Sequence, residues 1–151
     1  MKLVIQRVTE AAVTIEGEEV GRIGRGLLVL VGFGNEESEA DLNGCAAKLV
    51  KLRIFDDENG VMNRNVEAVE GGLLLVSQFT LMGSTKKGNR PSWLGAASPE
   101  QAEPLFNRFI ERVRQATACP VATGRFGANM QVALINDGPV TLLIDSKRPE
   151  G

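Results

Sequence analysis

Only two segments of the chain carry the signals of a helix start, and this scarcity constrains the fold most. Ser38 is followed three residues later by Asp41, and residues 98–101 read Ser-Pro-Glu-Gln; both patterns are typical of a capping box. Apolar residues then recur at helical spacing. They are Leu42, Cys45, Ala46, Leu49 and Val50 in the first segment, and Ala102, Leu105, Phe106, Phe109, Ile110 and Val113 in the second. We therefore predict two helices.

The rest of the sequence is typical of short strands separated by tight turns. Runs rich in leucine and β-branched residues are bounded by glycine-containing turns. The strand-bearing segments are 2–8, 11–33, 52–55, 71–81 and 119–146. Two helices and many strands joined by short turns predict an α+β fold with a mainly antiparallel sheet. A length of 151 residues fits one domain, spanning 1–151.

The composition limits the chemistry, because the chain has no histidine and no tyrosine. A Ser-His-Asp or Cys-His catalytic arrangement and a histidine-ligated zinc site are excluded. Cys45 and Cys119 do not form a C-x-x-C pair, and we expect both to be small buried thiols. An enzyme with this sequence must use carboxylates, hydroxyls, backbone groups or chemistry that its substrate supplies. We expect no metal and no cofactor.

The charge pattern bears on possible partners. A net charge of −2 and a pI of about 5.3 disfavour a protein that coats nucleic acid. Contact with RNA would need a local patch, and Lys86, Lys87 and Arg90 offer one in a glycine-containing loop; the residues alone favour a solvated loop without a ligand. Because no apolar run is long enough for a membrane helix and no signal peptide is visible, we expect a cytoplasmic protein that binds no membrane.

Polar side chains interrupt an apolar strand at residues 77–80, which read Ser-Gln-Phe-Thr after Leu-Leu-Leu-Val. A buried polar group without a partner costs about 1–3 kcal/mol. One interpretation is that these polar groups are satisfied by hydrogen bonds to one another or exposed at the end of the strand. The other is that they form the wall of a pocket lined by hydroxyls and backbone N–H groups. The residues alone leave both interpretations open.

A second unusual segment, Asn136-Asp137-Gly138-Pro139, lies between two apolar runs. Its first three residues are typical of a tight hairpin turn, yet the proline cannot donate a hydrogen bond where the next strand should begin. The bond before a proline can be cis at a cost of about 0.5–1 kcal/mol. A glycine at the tip could bring main-chain carbonyls close to a ligand. The residues alone favour an ordinary turn over such a ligand-binding tip.

Together these segments resemble the D-aminoacyl-tRNA deacylase family, historically called D-tyrosyl-tRNA deacylases. The resemblance runs nearly end to end, over the segments 4–8, 52–63, 77–81, 87–93, 123–141 and 142–146. The Ser-Gln-Phe-Thr-Leu segment at 77–81 and the Gly138-Pro139 pair are its most specific motifs.

The resemblance implies a β-barrel-like homodimer whose active sites lie at the subunit interface. It implies hydrolysis of the ester that joins a D-amino acid, or misattached glycine, to tRNA, with D-aminoacyl-tRNA as substrate and no DNA partner. The catalytic segment would comprise Ser77, Gln78, Phe79 and Thr80. Either the Thr80 hydroxyl attacks as a nucleophile, or the ribose 2′-hydroxyl of the tRNA helps to activate a water while main-chain N–H groups hold the carbonyl oxygen. The resemblance favours the second route.

The resemblance also implies how L-amino acids are rejected. Gly138 and Pro139, joined by a cis bond, would enter the partner's pocket, and Arg7 would hold them in orientation. Asn129 and Met130 are expected to line the substrate pocket, although many members have aspartate where Asn129 stands. Lys86, Lys87 and Arg90 are the expected tRNA contacts. A non-catalytic β-barrel binding module and a general threonine-dependent esterase are the competing functions.

Overall fold

The first strand of the chain pairs with three other strands and organises the sheet. The computed structural model describes residues 1–149. The last two positions of the predicted domain, 150 and 151, lie outside the described residues. The elements in chain order are β1 (Lys2–Ile15), β2 (Glu18–Ile23), β3 (Gly26–Gly32), α1 (Glu39–Lys51), β4 (Phe55–Asp56), β5 (Met62–Arg64), β6 (Gly72–Ser77), a 3₁₀ turn (Phe79–Met82), α2 (Pro99–Ala116), β7 (Val121–Thr123) and β8 (Gln131–Asp145). β1 pairs antiparallel with β2, β3 and β8.

The sheet is mainly antiparallel, as predicted, but it is mixed rather than purely antiparallel, because two of its strand pairs are parallel. β3 pairs with β6 in parallel, and β6 pairs with β7 in parallel, giving the order β2-β1-β3-β6-β7 with β8 also on β1. The reason is connectivity: α1 lies between β3 and β6 in the chain, and α2 lies between β6 and β7. A helical crossover returns the chain in the same direction, which makes the two strands parallel.

The sheet is nearly closed, as the prediction of a barrel-like fold with two helices requires. Its two end strands approach each other at Gly21 of β2 and Thr123 of β7. A Cβ atom on Gly21 would lie 2.8 Å from the carbonyl oxygen of Thr123. Glycine at position 21 therefore permits the close approach of β2 and β7 that almost closes the barrel. The prediction of a barrel-like fold with two helices is confirmed.

Two buried clusters use opposite faces of the strands. Leu73 and Leu75 of β6 contribute to the cluster that includes the helices, whereas Leu74 and Val76 contribute to the cluster inside the sheet. A strand covered on both faces is typical of parallel pairing and explains the continuous leucine run. Cys45 is buried in the helix-side cluster, where burial raises its pKa to about 11. The expectation of a buried thiol is only partly met by Cys119, which is half-buried.

The two predicted helix starts differ in their capping. Ser38 forms the full capping box: the Asp41 N–H donates to the Ser38 hydroxyl at 3.2 Å, and the Ser38 N–H donates to the Asp41 carboxylate at 2.8 Å. α2 begins at Pro99 as predicted, but Ser98 makes no side-chain cap bond. Its hydroxyl donates instead to the side-chain oxygen of Gln101 at 3.4 Å, so the second capping box is not formed.

Residues 136–139 do not form the predicted hairpin, because β8 runs continuously from Gln131 to Asp145. Opposite it on β1, Gln6 pairs with Thr141 and Val8 with Asn136, so four residues of β8 face Arg7 alone. The segment 137–140 is therefore a bulge, a local excess of residues in one strand that re-aims the chain. The same turn-forming residues occur in bulges and in hairpin turns, so the sequence pattern could not distinguish a bulge from a hairpin.

Replacing Gly44 by alanine is expected to raise the free energy of unfolding by about 0.5–1 kcal/mol, since glycine is that much worse than alanine within a helix. Gly44 lies on the exposed side of α1, and a Cβ atom there has nothing within 4 Å. Gly17 is the matched control, because it has equal space but a φ of +79°. Gly17→Ala should destabilise, and urea unfolding of both variants measures the difference. A destabilised Gly44→Ala variant would contradict the expectation.

Candidate active site

A cavity of about 620 Å³ opens where β6 ends. Ser77 and Gln78, the first polar residues after the leucine run, line it together with Phe79. Asn129 and Met130, from the loop before β8, line the opposite side. The structure thus brings together five of the residues expected at the catalytic segment and the substrate pocket.

The remaining wall comes from residues that the sequence analysis did not assign to the site. They are Trp93, Ala96, Ala97, Ser98, Pro99, Ala102, Phe126, Gly127 and Ala128, with Val76 and Val132 from the flanking strands. Most are small or apolar and carry no chemical signal. Trp93 was detectable, because it ends the segment 87–93 on which the family resemblance rests.

The 3₁₀ turn holds the predicted catalytic segment in place. The Gln78 N–H donates to the carbonyl of Val31 at 2.7 Å, which anchors the segment to β3. The Leu81 N–H donates to the carbonyl of Gln78 at 3.2 Å. The first N–H groups of such a turn have no acceptor within it. The main-chain N–H groups of Phe79 and Thr80 are therefore free of the turn's own hydrogen bonds.

Thr80 lies beside the cavity rather than in its lining. Its side chain is exposed, and the Gln78 side-chain amide donates a hydrogen bond to its hydroxyl oxygen. Both interpretations of this segment thus hold in part: Ser77 and Gln78 form a pocket wall, and Thr80 belongs to a satisfied pair at an exposed strand end.

The cavity is lined by hydroxyl, amide, thioether, aromatic and aliphatic groups. None of the described residues that line it has a titratable side chain. The described part of the chain also contains no group of three or more histidine, cysteine, aspartate or glutamate side chains placed to hold a metal ion. Nor do residues 1–149 include a helix with the length and apolar character needed to cross a membrane.

The Gly138-Pro139 pair lies on the bulge of β8 and is exposed, and neither residue lines the cavity of the same chain. The peptide bond between the two residues is cis. Arg7, which is only 7% exposed, lies directly beneath. Its Nε donates to the carbonyl of Asp137 at 3.1 Å, and its Nη1 donates to the carbonyl of Ile54 at 2.7 Å. The guanidinium therefore joins the bulge to the chain just before β4.

The space beside Gly138 is closed by the same guanidinium. A Cβ atom on Gly138 would lie 2.8 Å from Nη2 of Arg7, and the φ of Gly138 is +123°. Both observations favour glycine at this position. The structure brings Arg7 and Gly138 together, but it places neither in the cavity lining.

The three expected tRNA contacts are exposed on one loop. Lys86, Lys87 and Arg90 lie between Ser84 and Ser92, whose N–H and carbonyl groups pair at 2.9 and 2.8 Å. This loop connects the 3₁₀ turn to Trp93, so the basic side chains belong to the segment that borders the cavity.

Comparison with solved structures supports the fold described above. A structure named "c-Myc DNA Unwinding Element Binding Protein" has a TM-score of 0.91 at 42% identity and covers 96% of this chain and 98% of its own. A structure titled "Structural Analysis of a probable eukaryotic D-amino acid tRNA deacylase" has a TM-score of 0.81 at 20% identity, covering 95% and 97%. The second likeness concerns the fold alone.

The family follows from the sequence comparisons. The family model described as "D-Tyr-tRNA(Tyr) deacylase" matches residues 4–145, and the chain belongs to this family. A protein of Dechloromonas aromatica (strain RCB) named "D-aminoacyl-tRNA deacylase" is 58% identical over 150 residues, covering 99% of this chain and 100% of the relative. The predictions of the family and of the enzyme class, a hydrolase acting on aminoacyl-tRNA, are confirmed.

Proposed function

We propose that the chain hydrolyses the ester between a D-amino acid and the terminal ribose of tRNA, and that it also clears glycine misattached to tRNA. One observation carries the proposal: the family's Ser-Gln-Phe-Thr-Leu segment borders a cavity large enough for an aminoacyl ester at a rigid strand end. Glycine is included because it has no side chain by which a handedness filter could reject it.

The main-chain N–H groups of Phe79 and Thr80 are suited to hold the ester carbonyl oxygen. Water adds to the carbonyl carbon, the bond to the ribose oxygen breaks, and that oxygen takes up a proton; the products are a free amino acid and tRNA. Donors aimed at the developing oxyanion stabilise such a step. The adjacent ribose 2′-hydroxyl is proposed to relay the proton, since none of the cavity-lining side chains among residues 1–149 is titratable.

The alternative nucleophile, Thr80, lacks an activating partner in this arrangement. Its hydroxyl oxygen accepts a hydrogen bond from the Gln78 amide, and an amide N–H cannot remove a proton. Activation of a hydroxyl nucleophile requires an adjacent base. These contacts favour the RNA-assisted route for the proposed reaction.

Selection for the D-substrate is proposed to depend on a second copy of the chain. Gly138 and Pro139 point outward from β8, and Ile135 and Leu143 on the same strand are 53% and 77% exposed. Burying apolar side chains against a second sheet is favourable. A homodimer formed through this face would carry each Gly138-Pro139 bulge toward its partner, with the active sites at the interface.

The energy required for this selection is modest. A thousandfold preference corresponds to about 4 kcal/mol. A main-chain bulge held by the buried guanidinium of Arg7 cannot relax as a flexible side chain could. A clash between its carbonyls and an L-side chain is thus a physical basis for rejecting L-aminoacyl-tRNA.

Asn129 and Met130 are proposed to complete the substrate pocket. Met130 fits because Gly124 has no side chain: a Cβ atom there would lie 2.6 Å from the methionine Sδ. Asn129 offers an amide where many family members have a carboxylate, so a substrate ammonium group could donate a hydrogen bond to its oxygen but would gain no ion pair from it.

Lys86, Lys87 and Arg90 are proposed to contact the tRNA backbone, and the cytoplasm, where tRNA is used, is the proposed location. No DNA partner is proposed, because the family resemblance implies tRNA as the substrate and no DNA partner.

The decisive assay compares D-Tyr-tRNA and L-Tyr-tRNA in parallel, with p-nitrophenyl acetate as a third substrate. We expect rapid release of D-tyrosine, at least a hundredfold slower release of L-tyrosine, and no comparable cleavage of the acetate. Equal cleavage of both enantiomers would overturn the selectivity, and cleavage of all three would indicate a general threonine-dependent esterase. Binding of tRNA without any cleavage would identify a non-catalytic module.

A further inference from the structure

We propose that Phe79 and Trp93 form a stacking surface for the penultimate cytidine of the tRNA 3′ end, so that the protein recognises more than the terminal aminoacyl-adenosine. The inference rests on the proposed function, since it assigns a partner base to the mouth of the same cavity. Every tRNA ends in the single-stranded sequence CCA. With the terminal adenosine ester at the cavity, the preceding nucleotide must pass the cavity's rim.

The two aromatic side chains are unusually exposed for their size. Phe79 is 56% exposed and Trp93 is 43% exposed, yet both line the cavity. Their rings meet edge to face, with centroids 5.3 Å apart and planes inclined by 69°. Nucleobases of single-stranded RNA stack on exposed aromatic side chains of this kind.

The indole of Trp93 is held in place by the absence of a side chain at Gly83. A Cβ atom on Gly83 would lie 2.5 Å from Cζ3 and 3.1 Å from Cε3 of Trp93. The Ala96 N–H donates to the carbonyl of Trp93 at 3.0 Å and fixes the backbone at the same point. A ring that is already positioned loses little freedom when a base stacks on it.

The charge of this segment suits an RNA strand. Residues 79–99 contain three basic side chains, Lys86, Lys87 and Arg90, and no acidic one, in a chain whose net charge is −2. The loop that carries these charges ends at Trp93, so cations and aromatic rings lie on one continuous stretch. Aromatic rings beside basic groups are typical of surfaces that bind single-stranded nucleic acid. The uniform sign of the charge disfavours a second copy of this surface as its occupant.

The binding test uses the protein's own fluorescence. Trp93 is the only tryptophan and the chain has no tyrosine, so intrinsic emission reports on this ring alone. The unmodified protein is titrated with adenosine, with cytidylyl-adenosine and with the trinucleotide CCA. We expect cytidylyl-adenosine to quench the emission and to bind about tenfold more tightly than adenosine. A gain in affinity of about tenfold is what the stacking of one base on an aromatic ring contributes. Equal affinity for adenosine and the dinucleotide would overturn the inference.

The kinetic test compares the D-alanyl esters of adenosine and of cytidylyl-adenosine. In the wild type, kcat/KM should favour the dinucleotide ester about tenfold, mainly through KM. Trp93→Ala and Gly83→Ala should each bring this ratio near one, and Trp93→Phe should retain most of it. Gly95→Ala is the matched control, because its nearest neighbour would be the Met82 carbonyl oxygen at a comfortable 3.4 Å.

Three results would count against the stacking surface. They are an unchanged ratio in Trp93→Ala, an equal loss on both esters, and a shift of Trp93→Ala to a smaller oligomer in native mass spectrometry, which would assign the ring to a subunit contact. If the wild type cleaves neither ester, the D-Tyr-tRNA assay decides the proposed function separately, and the fluorescence titration decides whether the cytidine stacks.

Discussion

Replacing the 2′-hydroxyl of the terminal adenosine by hydrogen is expected to slow hydrolysis of D-aminoacyl-tRNA at least about a hundredfold, the lower end of what a positioned proton-transfer group contributes. The physical reason is that the cavity lining in the described residues includes no titratable side chain. Single-turnover deacylation of tRNA ending in 2′-deoxyadenosine measures the effect. Thr80→Ala should retain substantial activity on normal tRNA.

The comparison between the two changes separates the mechanisms. If Thr80→Ala loses all turnover while tRNA binding is intact, the hydroxyl is the nucleophile and the RNA-assisted route is wrong. Full activity on the deoxy substrate would also exclude the RNA-assisted route. Thr80→Ser serves as the control, because it keeps the hydroxyl and its hydrogen bond from Gln78 while removing only a methyl group.

Replacing Arg7 by methionine is expected to lower both stability and selectivity. The change removes two hydrogen bonds from a buried guanidinium, at 2.7 and 3.1 Å, and hydrogen bonds to charged groups contribute about 1.5–3 kcal/mol each. With partial relaxation we expect the free energy of unfolding to fall by about 2–4 kcal/mol. The bulge at 137–140 loses its support, so cleavage of L-aminoacyl-tRNA should rise relative to the D-substrate by about tenfold or more.

Urea unfolding and parallel D- and L-Tyr-tRNA assays measure the two effects. Arg22→Met is the matched control: its side chain is 52% exposed, and it forms surface ion pairs with Glu19 of β2 and Glu10 of β1. Exposed pairs contribute about 0–1 kcal/mol, so this variant should remain near the wild type. A normal ratio of D to L cleavage in Arg7→Met, measured on folded protein, would remove Arg7 from the selection of handedness.

The helices and the site segments were the predictable part of this molecule. Local signals determine where each helix begins, and Ser38 with Asp41 shows how complete such a signal can be. The polar interruption after the leucine run marked the cavity because polar residues in an apolar strand demand an explanation. The family resemblance then assigned roles that local patterns had left open.

The remaining features depend on contacts between distant segments. The parallel pairing of β6 is decided by crossovers, not by the residues of the strand itself. The bulge at 137–140 is defined only against β1, where Arg7 stands opposite four residues. The alanines that complete the cavity carry no chemical signature, and the exposed position of Thr80 follows from the 3₁₀ turn. None of these is encoded by spacing along one segment.

The pairing of β1 with β8 has a consequence for biosynthesis. Lys2 lies opposite Asp145, so β1 is synthesised long before the strand with which it pairs. Topologies rich in such distant pairings fold slowly, because the chain loses the entropy of closing a long loop before the stabilising contacts form. Until β8 is synthesised, the backbone N–H and carbonyl groups along one edge of β1 are unpaired and could pair with another chain. A chaperone would protect the nascent chain during this interval.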